Sequence, residues 1–365
     1  MGNEIKDSQS ETGQGPTRIL TTEEQAIYKK YLMKVDLMII PIYFVIYWLA
    51  ILDRNNIGTA NVAGFTQELK LVGNQFNWIS ASLFYTYIFF EIPSTILLQK
   101  FGVSKWLPSI SILWGVTCMC MAAVKSYGTA IVVRLFLGIF EAGFVPGFLY
   151  YSTIWYPNVS RMPRIALFFS AGTFAGIFAG PIAKGLTKVN GSLKEYQYIF
   201  LFEGAMTVVV AFIAYFVLHD YPEKTKYISP EELAVANKMF ESDQIGVSTQ
   251  SYTLSQKLHT LLDIKLWCFG TIFAIGAIGG ATQAIFGPTL ISQIGYKDNQ
   301  ALVMSSIPSA CGFGSQVLLL LFPFIIKRSK MFLLLIFYAS VAAVFYILLA
   351  FNKGKKSRVI IYAFL

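Results

Sequence analysis

Charge is what this chain has least of. Only 13% of its 365 residues are Asp, Glu, Lys or Arg, roughly half the share usual in a soluble domain, while 55% are hydrophobic. That balance excludes an ordinary water-soluble protein and implies a membrane protein. Histidine occurs twice, at His219 and His259, both in the longest polar loop, where solvation accounts for them better than ligation. Cysteine occurs four times, at Cys118, Cys120, Cys268 and Cys311, each inside an apolar stretch where a thiol behaves as a small hydrophobe. Cys118 and Cys120 stand two apart and face different sides of a helix, so no metal or redox centre is expected. The N-terminus lacks the basic start and small-residue cleavage site of a secretory leader.

Long apolar runs are what the chain does have. Stretches of the ~20 residues needed to cross a bilayer begin near Val35, Trp78, Leu107, Thr129, Arg164, Tyr198, Leu266, Ala301 and Met331. The expected fold is therefore all-α and polytopic, with about nine full transmembrane helices. A tenth apolar stretch begins at Val359 and reaches Leu365 after about a third of a crossing, so the chain is expected to end inside a helix.

The organisation reads as a polar, disordered cytosolic tail over residues 1–34, a six-helix half over 35–218, a central cytosolic loop over 219–263 and an incomplete second half over 264–365. In the central loop, "SPEE" puts Ser229 at a helix N-cap, Pro230 in the first turn and Glu232 at the capping-box position, so a short helix should run to about Phe240. With the N-terminus inside, the loops on the cytosolic side carry the larger share of Lys and Arg, and the loop from Asn352 to Arg358 should lie outside. The net charge of +9 then sits mainly where anionic lipid attracts it and implies no nucleic-acid partner. On this topology "NGS" at Asn190 is open to glycosylation and "NVS" at Asn158 is not. Six helices followed by a loop resemble the first half of carriers built from two six-helix repeats, and on that plan three helices are missing.

The charges inside the spans narrow the reading. They are Asp53 and Arg54 in the first, Glu91 in the second, Arg134 and Glu141 in the fourth, and Glu203 in the sixth. At about 2.5 to 3.5 kcal/mol each near a helix centre, six such groups cost on the order of 15 kcal/mol without partners. Asp53 and Arg54 either mark the wet outer end of the first helix or, if the helix runs on through "NIGTANVAGF", lie buried toward a cavity. Arg134 and Glu141, seven apart, share a helix face about 10 Å apart along the axis, so each needs a partner from another helix. The simplest arrangement sets Asp53 opposite Arg134 and Arg54 near Glu141. Gly138, Gly143 and Gly147 permit close helix approach. Glu91, followed by Pro93 and Ser94, reads as a bond to a neighbouring helix, and Glu203 reads similarly. Tyr85 and Tyr87, two apart, face apart.

"LDRNNIGTANVAG", "FFEIPSTILLQKFG", "RLFLGIFEAGFVPG", "IFLFEGAMTVVVAF" and "FGPTLISQIGY" resemble the anion:cation symporter branch of the major facilitator superfamily, most closely its fungal allantoate permease group. The resemblance covers residues from about 35 to the end. It implies the major facilitator fold, a monomer in the plasma membrane, and proton-coupled uptake of a small organic anion such as allantoate, nicotinate or pantothenate. It also implies that Arg54, with Tyr87 and Asn55, contacts the substrate carboxylate, that Asp53 and Glu141 carry protons, and that Arg134 partners the acid. The chain departs from the family where "LQKFG" has Gln99 in place of the usual Asp, which puts the cytosolic charge lock in doubt.

The chemistry suits those residues on its own terms. A carboxylate entering a low-dielectric cavity needs a permanent cation, and arginine offers a planar two-pronged donor. Protons need a group whose charge can be lost, as a carboxyl in a site that opens and closes can. No enzyme activity and no cofactor beyond the coupling proton are expected, and the partners are the anion, protons and lipid. Two other readings stay open, a truncated fragment without transport activity and a nutrient sensor that binds without transporting.

Overall fold

The computed structural model describes residues 20–189, 191–244, 262–293 and 298–321, with isolated positions between 340 and 351. Most of the polar tail, Asn190, His259, most of the ninth span, the loop from Asn352 to Arg358 and the stretch from Val359 lie outside the described residues. Every regular element among the described residues is a helix. We label them α1 Thr22–Val62, α2 Gln75–Phe101, α3 Val103–Cys120, α4 Tyr127–Glu141, α5 Phe144–Trp155, α6 Asn158–Leu186, α7 Glu195–Val217, α8 Pro230–Gln244, α9 Ile264–Gln293, α10 Asp298–Met304 and α11 Ser306–Leu321. Among the described residues six helical segments are long and apolar enough to cross a membrane: α1, α2, α3 with its last turn, α4 with α5, α6 and α7. They match the first six expected spans. Their outward faces carry large apolar side chains such as Ile88, Phe89, Ile92, Phe212 and Phe216, as helices facing lipid must.

The first helix is the longest. Thr21 caps it, its hydroxyl accepting from the Glu24 N–H at 3.3 Å while the Glu24 carboxylate accepts from the Thr21 N–H at 2.9 Å. At 1.5 Å per residue its 41 residues span about 60 Å, twice a bilayer's apolar thickness. Its first turns therefore extend past the membrane, and α8 docks there. Ser229 and Glu232 form the expected capping box at the start of α8, with N–H to oxygen distances of 2.9 and 3.2 Å. Glu232, buried, accepts from Lys34 Nζ at 2.9 Å, and Lys30 Nζ stands 3.8 Å away. Leu20, Val235 and Met239 close a small apolar cluster between the two helices.

Small residues set how closely the spans approach. At the α3–α7 crossing a side chain on Gly115 would come within 2.9 Å of the Gly204 carbonyl, and one on Gly204 within 2.5 Å of the Gly115 carbonyl. The expected close approaches along the fourth span are made. Gly138 lies against the Leu83 carbonyl and Thr86 of α2, Gly143 against Ser94, and Gly147 against Leu98 and Leu107. The fourth span breaks after Glu141, where Pro146 has no N–H to offer the carbonyl of Ala142. α5 then supplies Phe144, Phe148 and Tyr151 to an aromatic core with Tyr43, Tyr47 and Phe168, in which Phe148 and Phe168 stack at 3.8 Å between centroids.

At the start of α3, Gly102 holds φ +87, and the Asp220 carboxylate accepts from the Ser104 N–H at 2.8 Å. An acid from beyond α7 thus caps α3, while Gln99 is exposed. Near the N-terminal end of α6, Arg164 grips Asp36 of α1 through Nε and Nη2 at 2.8 and 2.7 Å. Beyond the central loop, α9 packs on α1, where Gly58 faces the Ile285 carbonyl and Asn61 donates to Thr289 at 3.2 Å. α11 meets α6 through Thr173, whose hydroxyl lies 2.7 Å from Gln316 Oε1.

Two outcomes follow from this packing. Gly204→Val should lower thermal stability by about 1–3 kcal/mol, the usual penalty of overpacking, whereas Gly185→Ala, which meets nothing within 4 Å, should not. Equal melting behaviour of the two variants would remove the α3–α7 crossing as a constraint. At Glu232, burial raises the carboxyl, but the Lys34 ammonium, the Ser229 N–H and Lys30 outweigh it and hold the group below the usual carboxylate range. A depressed folded value contributes stability above the unfolded value of about 4.3 and loses it as pH falls through the folded one. Docking of α8 should therefore weaken below about pH 4. Glu232→Gln should loosen it at neutral pH by roughly 1–3 kcal/mol, read as faster amide exchange across 230–244 with the spans unchanged. Unchanged protection of that segment would show that the pair does not hold α8.

Candidate functional site

The charged centre lies more than three quarters of the way along α1. The helix continues through Asp53 to Val62, and Asp53 is fully buried, so the pair does not mark a wet helix end. Successive residues 53 to 56 point in different directions around the helix, and three separate sets of partners result.

Arg54 faces α4. Its Nε donates to Glu141 Oε1 at 3.0 Å, and its Nη2 donates to the same oxygen. The guanidinium carbon stands 5.1 Å from the centre of the Tyr87 ring, a cation–π distance. Arg54 keeps 21% of its side-chain surface, whereas Glu141 is buried and its second oxygen, Oε2, has no hydrogen-bond partner among the described residues. The pair is thus closed through one oxygen and open on its other side. Tyr85, two residues from Tyr87, points outward and is half exposed.

Asp53 faces α3 and α7. Its Oδ2 accepts from Trp114 Nε1 and from the Thr207 hydroxyl, both at 3.1 Å, and its Oδ1 accepts from the Cys118 thiol at 3.4 Å. The expected pairing of Asp53 with Arg134 is not made. Arg134, 1% exposed, donates instead from Nη2 to Asn56 Oδ1 at 3.0 Å, and its Nε has no partner among the described residues. The reason is local. Asn56 follows Asp53 by three residues on the same side of α1, and its carboxamide meets the guanidinium before the carboxylate does. The other face of that carboxamide donates to Cys118 Sγ at 3.4 Å.

Asn55 is half buried and makes no side-chain hydrogen bond among the described residues, and the same holds for Glu91. Glu203 is buried beside Thr207 on α7, with Oε2 unpartnered among the described residues. Four contributors were not singled out by sequence reasoning: Trp114, Cys118, Thr207 and the part played by Asn56. Thr207, one turn after Glu203 in an apolar run, was a legible signal. Trp114 and Cys118 were not, because both residue types are at home in apolar helices. Cys118, read as a small hydrophobe, is instead a buried donor to a carboxylate, while Cys120, Cys268 and Cys311 are exposed. His219 places Nδ1 2.9 Å from the Val217 carbonyl, and among the described residues no group of His, Cys, Asp and Glu could hold a metal.

An all-helical, multi-pass membrane protein with a buried, partly unsatisfied charged centre is the class that this geometry defines. The chain belongs to the Major Facilitator Superfamily, whose family model matches residues 43–365. It is 32% identical over 293 residues to the MFS transporter prlL of a fungal species (strain NRRL 50135), covering 78% of this chain and 59% of that protein. It is 30% identical over 292 residues to a protein of Agrobacterium vitis named "Putative tartrate transporter", covering 79% and 64%. The chain therefore spans about three fifths of the length of these relatives. Among solved structures it shares its fold with the xylose transporter XylE from E. coli in a partially occluded inward-open conformation, at TM-score 0.66, 13% identity and coverage of 90% and 82%. A bacterial homologue of the human lysosomal transporter Spinster, inward-facing and unoccupied, gives TM-score 0.63 at 15% identity, covering 94% and 72%.

Proposed function

We propose that this chain belongs to a proton-coupled carrier that takes up a small organic anion, a carboxylate of the allantoate, nicotinate or pantothenate kind, at the plasma membrane. The observation that carries this reading is the Arg54–Glu141 pair. One guanidinium serves one carboxylate, and that carboxylate still has an oxygen without a partner among the described residues.

A substrate carboxylate and the Glu141 carboxylate are rivals for the same donor. While Glu141 is ionised it occupies Arg54 and keeps the centre electrically neutral. A proton on Glu141 cancels its claim, and Arg54 then needs an anion, because an unpaired buried cation is strongly unfavourable. Proton and substrate therefore enter together, which is the logic of a symporter. Tyr87 would hold the guanidinium from its other face, and Asn55, with a free carboxamide one residue along, would offer a neutral donor to the rest of the substrate. Support for a carboxylate comes from the physics of the fork and from the Agrobacterium vitis relative, whose name refers to tartrate, a dicarboxylate. The allantoate permease resemblance of the motifs points the same way.

The direct test is uptake of radiolabelled carboxylates by cells expressing the protein, at acidic and neutral external pH. Accumulation that rises with acidity and collapses with a protonophore is expected; accumulation indifferent to both would sink the coupled reading. Glu141→Gln imitates the protonated acid, so it should bind or exchange substrate yet fail to concentrate it. If that variant still accumulates substrate against its gradient, Glu141 is not the coupling site. Arg54→Lys keeps the charge and loses the fork, and should weaken binding roughly ten-fold, the size of one charge-assisted hydrogen bond, with Arg54→Ala weaker still. Equal affinity in wild type and both variants, at matched expression, would move the anion site away from Arg54.

A further inference from the structure

We propose that Asp53 and Glu203 share a single proton, resident on Glu203 in this conformation, and that Glu203 is a second proton site separate from Glu141. The argument starts from a charge count. Five acidic or basic side chains, Asp53, Arg54, Arg134, Glu141 and Glu203, meet at the centre, and Arg54 with Glu141 forms a neutral pair. Two acids, Asp53 and Glu203, are then left with one cation, Arg134, and all three are at most 2% exposed. With both acids ionised the centre would hold an uncompensated negative charge in the least polar part of the molecule, which is strongly unfavourable. One bound proton restores neutrality.

Hydrogen bonding decides which acid carries it. Three donors converge on Asp53, from Trp114, Thr207 and Cys118, and satisfy both of its oxygens as an ionised carboxylate requires. Glu203 has no comparable cradle, since its Oε2 lies buried without any partner among the described residues. The two acids are nonetheless joined. The Thr207 hydroxyl lies 3.1 Å from Asp53 Oδ2 and 3.0 Å from the Glu203 backbone carbonyl, and the Asn56 carboxamide interacts with both Arg134 and Glu203. The ionisable groups facing Glu203 are Asp53 from α1, the Cys118 thiol from α3 and Arg134 from α4. The charged residues of α6, Arg161, Arg164 and Lys184, lie within two turns of its ends. Among the described residues no second cation is placed to let both acids ionise.

The role of this proton in uptake rests on the coupled-carrier reading; its presence does not. Infrared spectroscopy of the purified full chain can see it, because only a protonated carboxyl shows the carboxylic C=O stretch. At neutral pH the wild type should show such a band, shifted when glutamate carboxyls are labelled with heavy carbon and unshifted when aspartate is labelled. Glu203→Gln should abolish the band, Glu203→Asp should restore it at a new frequency, and Glu141→Gln should leave it. Absence of the band in wild type, a shift with labelled aspartate alone, or persistence in Glu203→Gln would each overturn the assignment. Labelling of the wild type decides the matter even if Glu203→Gln does not fold. Since the band reports a bound proton and not flux, its loss and a failure of proton-coupled uptake are separate results.

Discussion

A charge inside a bilayer has no water to turn to, and everything about the centre of this protein follows from that constraint. Asp53, Arg54 and Asn56 on one helix need partners that their own helix cannot supply in full. The partners come from α2, α3, α4 and α7, in the form of Tyr87, Trp114, Cys118, Arg134, Glu141 and Thr207. Polar contacts of about 3 Å between helices demand that the backbones come close. The glycines at 115, 138, 143 and 204 meet that demand where the spans cross or run together.

The same constraint divides the centre into two layers with different properties. Arg54 and Glu141 form a pair with spare hydrogen-bonding capacity and some access, so its partners can be exchanged. Asp53 is held by three donors from two other helices and is closed on every side, so it behaves as part of the frame. Arg134 and Asn56 join the layers, since Arg134 sits on the same helix as Glu141 and reaches the residue that lies between the two. A change of charge at Glu141 is therefore felt by groups that also set the environment of Asp53 and Glu203.

Outside the membrane a different economy applies. α8 is tied to the projecting end of α1 by Lys34, Lys30 and a small apolar cluster, and Asp220, just beyond α7, caps the neighbouring α3. These contacts connect the end of α7 and the loop after it to α1 and α3. Gln99 is exposed, while Asp220 serves the start of the adjacent helix.

Much was legible in the sequence. Apolar runs of bilayer length fix six spans, because backbone groups in lipid must pair within their own helix. Intramembrane charges are so costly that their positions alone single out Asp53, Arg54, Glu91, Arg134, Glu141 and Glu203 as groups in need of partners, and opposite sign was enough to bring Arg54 to Glu141. The expected pairing of Asp53 with Arg134 is not made, and neither the bond from Arg134 to Asn56 nor the contributions of Trp114 and Cys118 were legible. Residue type says which groups need a partner, whereas helix rotation and crossing depth say which atoms meet. Two residues turn an α-helix by about 200°, and that separates an exposed thiol, as at Cys120, from one donating to a carboxylate, as at Cys118 on the same helix.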